Sequence, residues 1–542
     1  MSTVQRNMSL TGDASNHLNF FQKIGTLVGL IGLAIILLFQ FNDFGNQGIW
    51  LTIALISIAG GILLFSKGSY SGKLEGIKNH GVWFKSVSSR GFWGWVAGVS
   101  LTGFYVILYF FESLLGANPD GNTGIVGLFD PLSKFLSGNP ASQWFVYGTL
   151  YTVAILAFGI KFIWKYRHNR YEQLRTMSVM LFQTAFAFII PELMARLNTD
   201  NFSLPYNDLK NMWPLNYYAF DGWRVDQFIN AQTIGLAFLI FAILSVFVIS
   251  PILTYKYGKR WYCSWVCGCG GLAETAGDSF RQLSSKKLSA WKLERWMIHA
   301  VLVFSVIMTV AVVSTYLGYD ATKYWFTKNT FLMSVGIFLT LLLLGVIYYK
   351  RTELNKTALK GALAGYIITI GFLVFISFFD LSQIKINAAY FSFGLNTNSY
   401  SLDGALRTFY GFGIGSIFSG VIGTGFYPIL GNRVWCRMGC PMAGILGIQQ
   451  RLFSKFRITT NGGQCISCGN CSTYCEMGID VRSYAQKGEN IVRASCVGCG
   501  ICSAVCPRGV LKLENGQLEG RINSNEILLG NDVDLMDYVN KN

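Results

Sequence analysis

Residues 465–475 read CISCGNCSTYC, and residues 496–507 read CVGCGICSAVCP. Both stretches follow the pattern Cys-x2-Cys-x2-Cys-x3-Cys, and a proline closes the second one. They hold eight of the 13 cysteines of this 542-residue chain, and the other five lie at 263–269 and 436–440. Cysteines grouped in this way indicate metal ligation rather than the disulfide framework of a small secreted domain.

The spacing inside each stretch is that of bacterial ferredoxins with two [4Fe-4S] clusters. In that pattern three closely spaced thiolates hold one cluster, and the fourth cysteine ligates the other cluster. The predicted ligands are Cys465, Cys468, Cys471 and Cys506 for cluster I, and Cys496, Cys499, Cys502 and Cys475 for cluster II. The first stretch departs by having Glu476 where the second has Pro507, which removes no ligand. A zinc knuckle is the alternative, but eight cysteines at these spacings disfavour it.

The composition around these motifs is that of a membrane protein. Hydrophobic residues make up 52% of the chain and charged residues 13%, with a mean hydropathy of +0.39. A soluble protein carries about 25% charged residues. Apolar runs of about 20 residues, enough to cross a bilayer, recur at 24–41, 49–65, 92–114, 144–164, 176–195, 231–255, 296–316, 329–349, 361–379 and 408–430.

The basic residues alternate between the loops. The chain has 44 Lys and Arg against 28 Asp and Glu, and the formal net charge is +16. Every second loop, beginning with 66–91, is rich in Lys and Arg, with 22 in these four loops against six in the other five. The positive-inside rule then places both termini and all cysteine motifs in the cytoplasm, in a bacterial inner membrane. The excess of positive charge is therefore interpreted as topogenic, and no nucleic-acid partner is expected.

The predicted fold is a polytopic α-helical membrane protein of about ten transmembrane helices, with a small α+β two-cluster ferredoxin domain at the C-terminus. An N-terminal cytoplasmic segment, 1–23, lacks the pattern of a cleaved signal. The remaining predicted parts are a transmembrane domain at 24–430 with a cytoplasmic Cys-x3-Cys loop at 256–295, a ferredoxin-like domain at 431–515 and a tail at 516–542.

Two further cysteine pairs follow the sixth and tenth predicted helices. Both helices end in Pro-Ile-Leu, and both are followed by an Arg three residues before a Cys-x3-Cys pair. This echo predicts two repeats related by an axis along the membrane normal. If each pair shares a helix face, four thiolates converge on one point: Cys263, Cys267, Cys436 and Cys440. A third iron–sulfur cluster, a structural zinc and apolar buried thiols all remain open, with Cys269 as a spare ligand.

Three other residues are weak candidates for proton chemistry. Glu112 and Glu192 lie near the outer ends of the third and fifth predicted helices, where either could accept a proton from a quinol. The alternative is that both are solvated at the interface. His299, near the inner end of the seventh predicted helix, is either a proton or ligand group or a hydrogen-bonded interface residue. It is the one histidine inside a predicted span, so a haem with two axial histidines is not supported.

The segment from Arg433 to Pro507 resembles the NapH/NosR/CcoG group of membrane iron–sulfur proteins. Residues 435–444, WCRMGCPMAG, and the two ferredoxin motifs carry the resemblance, and residues 262–267, YCSWVC, look like the group's first membrane-edge motif. The chain departs from that motif by having Gly268 where the group has proline. The resemblance covers the last three hundred residues or so and hardly touches the first 170.

The resemblance implies electron transfer between the quinone pool, or a cytoplasmic donor, and a respiratory or maturation partner. The predicted function is therefore a single-electron relay in the membrane, with lipid around it, a redox partner protein and quinone as a candidate substrate. One alternative is a metal (copper) or thiol reductase that uses the membrane-edge cysteines. The other alternative is a redox-sensing scaffold or transporter, so whether the chain is itself an enzyme stays open.

Overall fold

The computed structural model describes residues 18–72, 87–198, 208–319, 323–350, 354, 356–387, 399–461, 464–515, 528–529 and 533–534. Most of the predicted N-terminal segment 1–23 and of the tail 516–542 lies outside these residues. The described part consists mainly of helices, with three short two-stranded sheets.

Among the described residues, ten helices are long and apolar enough to cross a membrane. We number them in chain order as α1 Phe20–Leu38, α2 Gln47–Tyr70, α3 Phe92–Phe110, α4 Gln143–Lys165, α5 Arg170–Arg196, α6 Gln232–Tyr257, α7 Leu288–Tyr319, α8 Lys328–Lys350, α9 Lys356–Phe378 and α10 Leu402–Ile422. This confirms the multi-pass membrane fold that the hydropathy pattern predicts.

Two of the helices that begin earlier than predicted, α5 and α7, include charged residues that are paired. In the first turns of α5, Arg175 contacts Glu172 at 2.6 Å, and both side chains are shielded from solvent. In α7, Glu294 lies 2.9 Å from Arg437 in the same shielded state. A hydropathy window counts these residues as polar, whereas their mutual contacts allow the helix to include them.

The tenth helix differs most from its predicted range of 408–430. It has π-type hydrogen bonding over Tyr410–Ile422 and ends there, and a separate short helix follows at Tyr427–Leu430. Gly423 and Gly425 lie in the break between the two helices, where glycine's low helix propensity favours an interruption. Similar π-type segments interrupt α5 at Phe182–Ile189 and α6 at Ser245–Ile249.

Shorter helices lie in the loops and around the cysteines. In the loops are Val87–Ser89, Glu112–Leu115, Gly124–Ser137 and Gly222–Asn230. The hydropathy pattern missed Gly124–Ser137, although its Val126, Leu128 and Phe129 are buried against neighbouring helices. Around the cysteines are Arg260–Cys263, Gly268–Thr275, Ala276–Leu283, Trp435–Gly439, Pro441–Phe453, Asn470–Thr473, Val481–Lys487 and Ile501–Ala504.

The C-terminal unit is built on one antiparallel strand pair. Strand β3 (Phe456–Thr460) pairs with β4 (Leu511–Asn515), and Ile458 lies opposite Leu513. The unit is joined to the end of α6 by a hydrogen bond from Lys455 N–H to the Tyr255 carbonyl, at 2.7 Å. The other two sheets pair β1 (Lys385–Asn387) with β2 (Ser399–Ser401), and β5 (Leu528–Leu529) with β6 (Val533–Asp534).

Candidate metal centres

Four cysteines of the C-terminal unit surround a small cavity. Cys465, Cys468, Cys471 and Cys506 all line it, and its volume is about 20 Å³. Three of them come from the first ferredoxin stretch and the fourth from the second. Cys468 is exposed, so this cavity lies near the solvent.

The other four cysteines of the two stretches surround a second cavity. Cys475, Cys496, Cys499 and Cys502 line it, and its volume is about 20 Å³. Here three come from the second stretch and one from the first, which is the reciprocal arrangement. Cys496 and Cys502 are buried and none of the four is exposed, so this cavity lies deeper than the first.

Equivalent glycines shape the two loops. Gly469 and Gly500 each precede a short helix and have left-handed backbone, with φ of +79° and +89°, a conformation that glycine adopts without steric cost. The turns bring backbone N–H groups toward two of the sulfurs, from Ser472 to Cys471 and from Ser503 to Cys502. Such contacts stabilise a thiolate.

The donor sets fit [4Fe-4S] clusters because each cavity presents four thiols, the number that one cluster needs. Among the described residues, no three His, Cys, Asp or Glu side chains form a group that could hold a single metal ion. Burial raises the pKa of Cys471 to about 12 and that of Cys496 to about 11. Since thiolates are the ligating form, loading these cavities with metal releases protons.

The Cys-x3-Cys pairs that follow α6 and α10, Cys263/Cys267 and Cys436/Cys440, are called the membrane-edge pairs below. They share one local geometry. The backbone N–H of Cys267 donates to the Tyr262 carbonyl at 2.8 Å, and that of Cys440 donates to the Trp435 carbonyl at 2.9 Å. Each bond spans five residues, so neither cysteine pair lies on one continuous α-helix. This differs from the predicted arrangement, in which the two cysteines of a pair share a helix face. The second cysteine of each pair has extended backbone and begins a new helix, at Gly268 in the first repeat.

The four membrane-edge thiols are buried in a single core cluster that also contains Cys496 and Cys502 of the second cavity. Burial, together with the nearby Cys267 and Cys436, raises the pKa of Cys263 to about 12 against the opposing effect of Lys259. The pKa of Cys440 is raised well above its ordinary value by burial and then by the other three thiols. The structure therefore brings the four predicted residues into one electrostatically coupled group.

Cys269 lies beside this group. A hydrogen bond with the Cys269 thiol lowers the pKa of Cys267 to about 6, against the opposing effect of burial. Cys269 is partly buried and packs against the same core. It is thus placed next to the edge group, as the spare position in the sequence predicts.

A buried arginine connects the membrane-edge group to the second cavity. The Arg433 guanidinium donates to the Cys436 Sγ atom at 3.5 Å and to the Cys263 carbonyl at 3.2 Å. It also bonds to Glu274, and its Nε atom lies 3.1 Å from the Glu476 carboxylate. Glu476 directly follows the cavity-lining Cys475, so one side chain contacts both repeats and the C-terminal unit.

The charge network continues from Glu476 toward α4. Arg281 lies 3.1 Å from Glu476 and 3.0 Å from Asp278, and Asp278 also binds Lys165 of α4. Burial alone would raise the pKa of Asp278, but Lys165 and Arg281 outweigh it and hold this pKa below its usual value. The pKa of Glu476 is likewise lowered, because Arg433 and Arg281 outweigh burial.

A buried glutamine provides a second connection. The Gln450 side chain accepts from the Lys259 N–H at 2.8 Å and donates to the carbonyls of Arg493 and Cys496, each at 2.8 Å. Lys259 precedes the first membrane-edge pair, and Cys496 lines the second cavity. This amide therefore fixes the first repeat against the loop of the deeper cavity.

The weak proton candidates lie apart from the two cavities, whose lining includes none of them. Glu112 is exposed in a short turn after α3 has ended, where Gln143 donates to it. Glu192 lies in the C-terminal half of α5, partly exposed. A ring nitrogen of His299 in α7 is 2.5 Å from the Arg295 carbonyl, which fits the hydrogen-bonded alternative.

The sequence interpretation missed the buried charge network. It treated the basic residues of the Lys- and Arg-rich loops as topogenic, yet Lys165, Arg175 and Arg281 in these loops are buried and paired with carboxylates. Arg433, which follows α10, is buried and paired in the same way. One signal could have found them: acidic residues are scarce in this chain, and Glu274, Asp278 and Glu476 all lie within a few residues of a cysteine motif or its helix.

Both kinds of cysteine motif match models of known protein families. The family model described as "4Fe-4S dicluster domain" matches residues 464–511, which contain all eight ferredoxin cysteines. The model described as "4Fe-4S binding domain" matches twice, at 239–290 and 412–459, and each match contains one membrane-edge pair. The repeated match supports the predicted internal repeat.

Similarity to curated proteins is local. One stretch of 55 residues is 36% identical to the "Putative electron transport protein YccM" of Escherichia coli (strain K12). This match covers 10% of the present chain and 15% of that protein. No solved structure matches the chain.

Fold and matches together define a class: a multi-pass membrane protein with ferredoxin-type 4Fe-4S domains. Within that class, the family matches identify iron–sulfur-binding domains at both kinds of cysteine motif. The matched segments are ferredoxin-type domains, so membership of the NapH/NosR/CcoG group stays an expectation of the resemblance.

Proposed function

We propose that this protein relays single electrons between the bacterial inner membrane and a redox partner protein on the cytoplasmic side. The predicted ligand sets in the C-terminal unit hold two [4Fe-4S] clusters, and the membrane-edge cysteines hold a further iron–sulfur centre. When bound, such clusters supply one-electron carriers whose potentials depend on hydrogen bonding and burial. A membrane quinol is the proposed electron donor, and a respiratory or maturation protein is the acceptor.

One observation carries this proposal: Arg433 contacts Cys436 and the Cys263 carbonyl on one side and Glu476 on the other. The arginine thus fixes the membrane-edge thiols and the loop of the deeper cavity in one rigid arrangement. Fixed positions favour electron transfer, because little reorganisation is needed when the charge moves.

The difference in burial supports a direction along the chain of centres. Both ligand sets reach the hydrophobic core of the membrane-edge thiols, the deeper set with the buried Cys496 and Cys502 and the shallower set with the buried Cys471. The shallower set also includes the exposed Cys468, whereas the deeper set has no exposed cysteine. We therefore assign the deeper set to the membrane end of the relay and the shallower set to the partner end. The positive-inside pattern supports a cytoplasmic location for both.

The experiment compares the wild type with a Cys263→Ser/Cys436→Ser variant, purified without oxygen. Two clusters give about 8 iron atoms per chain, and a third centre raises the count to about 10 or 12. We expect the wild type above 8 and the variant at 8. A count of 8 in both proteins would contradict the third centre and favour free reactive thiols, as a reductase would need.

A second experiment tests the electron relay by comparing how fast two different electron donors reduce the clusters. In liposomes, a quinol analogue should reduce the clusters of the wild type and reduce those of the variant at least about tenfold more slowly. Dithionite, which is soluble, should reduce both proteins alike and serves as the control for intact clusters. Equal rates with quinol, or no reduction of either protein by quinol, would contradict the proposed membrane donor.

A further inference from the structure

A large cavity lies where the C-terminal unit meets the membrane helices. Its volume is about 810 Å³, and its lining combines Phe182 of α5 and Leu253 of α6 with Gly500 and Ser503 of the C-terminal unit. Trp265, two residues before Cys267, completes the wall on the side of the membrane edge. The cavity is therefore apolar toward the bilayer and closed by the C-terminal unit at the opposite side.

The polar part of this cavity has one sign of charge. Its lining includes His168, Arg170, Arg260 and Lys512, and among the described residues that line it none is acidic. Arg170 is exposed at the start of α5. A concave site with several cations and without a carboxylate favours an anion.

The aromatic wall is held in place by hydrogen bonds. The Tyr171 hydroxyl donates to the Gly498 carbonyl at 2.8 Å and accepts from the Trp265 indole N–H at 3.2 Å. The Arg260 guanidinium lies over the Tyr171 ring at 5.6 Å and over the Phe456 ring at 4.5 Å. The cavity is thus a built site whose wall reaches the loop between Cys496 and Cys499.

We propose that this cavity binds one anionic phospholipid. The phosphate would lie among the cations at the cytoplasmic rim, and an acyl chain would lie along Phe182 and Leu253. Basic pockets between transmembrane helices on the cytoplasmic side are suited to anionic headgroups, and tryptophan and tyrosine favour the same interfacial depth. A free phosphate would leave the apolar half of the cavity empty, and a neutral quinone ring would make no ionic contact with the basic side chains at its rim.

The position of the cavity gives the bound lipid a structural role. Gly500 lies between Cys499 and Cys502 and also lines the cavity, so the bound lipid contacts both the membrane helices and the loop of the deeper ligand set. It therefore holds the C-terminal unit against the membrane surface. This role does not depend on which molecule donates electrons.

Native mass spectrometry of the detergent-purified protein tests the proposal. With mixed phosphatidylglycerol and phosphatidylcholine, the wild type should retain one phosphatidylglycerol at low mole fractions. An Arg170→Gln/Lys512→Gln variant should bind it about thirtyfold more weakly, since each charge near an anionic headgroup contributes about fivefold. Lys487→Gln, an exposed site in the C-terminal unit outside the cavity, should bind as the wild type does.

The wild-type arm is decisive even if the double variant does not fold. Equal retention of phosphatidylglycerol and phosphatidylcholine would overturn the proposal. Displacement of the retained lipid by millimolar inorganic phosphate would instead indicate a site for a soluble phosphate. Displacement by an equimolar short-chain quinone would indicate a quinone site, and each of these results would also overturn it.

Discussion

The Nε atom of Arg433 lies 3.1 Å from the Oε1 atom of Glu476, and neither side chain is reached by solvent. Arg433 precedes the second membrane-edge pair, and Glu476 follows a cysteine of the deeper ligand set. In the second ferredoxin stretch Pro507 takes the position of Glu476. The departure from the repeated pattern therefore provides one of the contacts that join the C-terminal unit to the membrane helices.

Arg433→Gln should destabilise the protein strongly. The change leaves Glu274 and Glu476 buried without this cation, and breaking one partner of a buried pair costs about 3–5 kcal/mol. The measurement is thermal unfolding in detergent, followed by loss of cluster absorbance. Arg451→Gln is the matched control, because Arg451 is exposed and donates to the Val492 carbonyl. Equal stability of both variants would contradict a structural role for the buried pair.

Stability should also fall in acid through Asp278. Its pKa is lowered in the folded state, so its contribution is fully present above the ordinary carboxyl pKa of about 4. The contribution is lost as the pH falls below that value and the folded carboxylate takes up a proton. We expect Asp278→Asn to lower the unfolding temperature at pH 7, with a smaller difference from the wild type at pH 3.5. Asp120→Asn, at an exposed position, should change neither value, and a constant difference for Asp278→Asn would contradict the prediction.

Two glycines in equivalent loops should respond differently to alanine. Both Gly469 and Gly500 have positive φ, so Ala costs about 1–2 kcal/mol at either position. A Cβ atom at Gly500 would lie 2.8 Å from the Tyr171 ring and 2.4 Å from the Glu172 carboxylate, whereas at Gly469 the nearest atom is 3.9 Å away, on Arg482. We expect Gly500→Ala to lose about 1–3 kcal/mol more than Gly469→Ala, measured by unfolding of the C-terminal unit. Equal losses would mean that the loop does not pack against α5 as described.

The membrane fold could be predicted because its signal is strong and local. Ten apolar runs and the alternation of basic loops depend only on composition along the chain, and the structure has ten helices of this kind among the described residues. The helix ends were less predictable. Glu172 and Glu294 lie inside helices because distant or neighbouring arginines pair with them, and a hydropathy window contains no information on such partners.

The two predicted ligand sets followed from the spacing of the cysteines, whereas the residues that contact them could not be predicted in this way. Two cavities are lined by the sets that the ferredoxin pattern predicts, although the cluster ligands themselves stay a prediction. The links from Arg433 to Glu476 and from Gln450 to Cys496 join residues far apart in the chain. A single sequence does not show which distant residues are in contact. The contacts between the membrane-edge cysteines and the C-terminal unit could therefore be identified only from the structure.

Each cavity is lined by three cysteines of one ferredoxin stretch and one cysteine of the other. We therefore expect cysteine variants to behave alike when they line the same cavity, and not when they belong to the same stretch. Cys475→Ser should behave like Cys496→Ser, because both residues line the deeper cavity. Cys506→Ser should behave like Cys465→Ser, since both line the shallower one. EPR of the reduced protein, with iron analysis, should show loss of the same signal and of about 4 iron atoms within each pair.

Cys269→Ser provides the control for this series, since Cys269 lines neither cavity and both ferredoxin-type signals should remain. If the signals instead grouped by stretch, with Cys475→Ser resembling Cys465→Ser, each stretch would hold its own cluster. The loop of the deeper cavity would then not depend on Cys475, and the contact of Glu476 with Arg433 would no longer connect the membrane edge to that cluster.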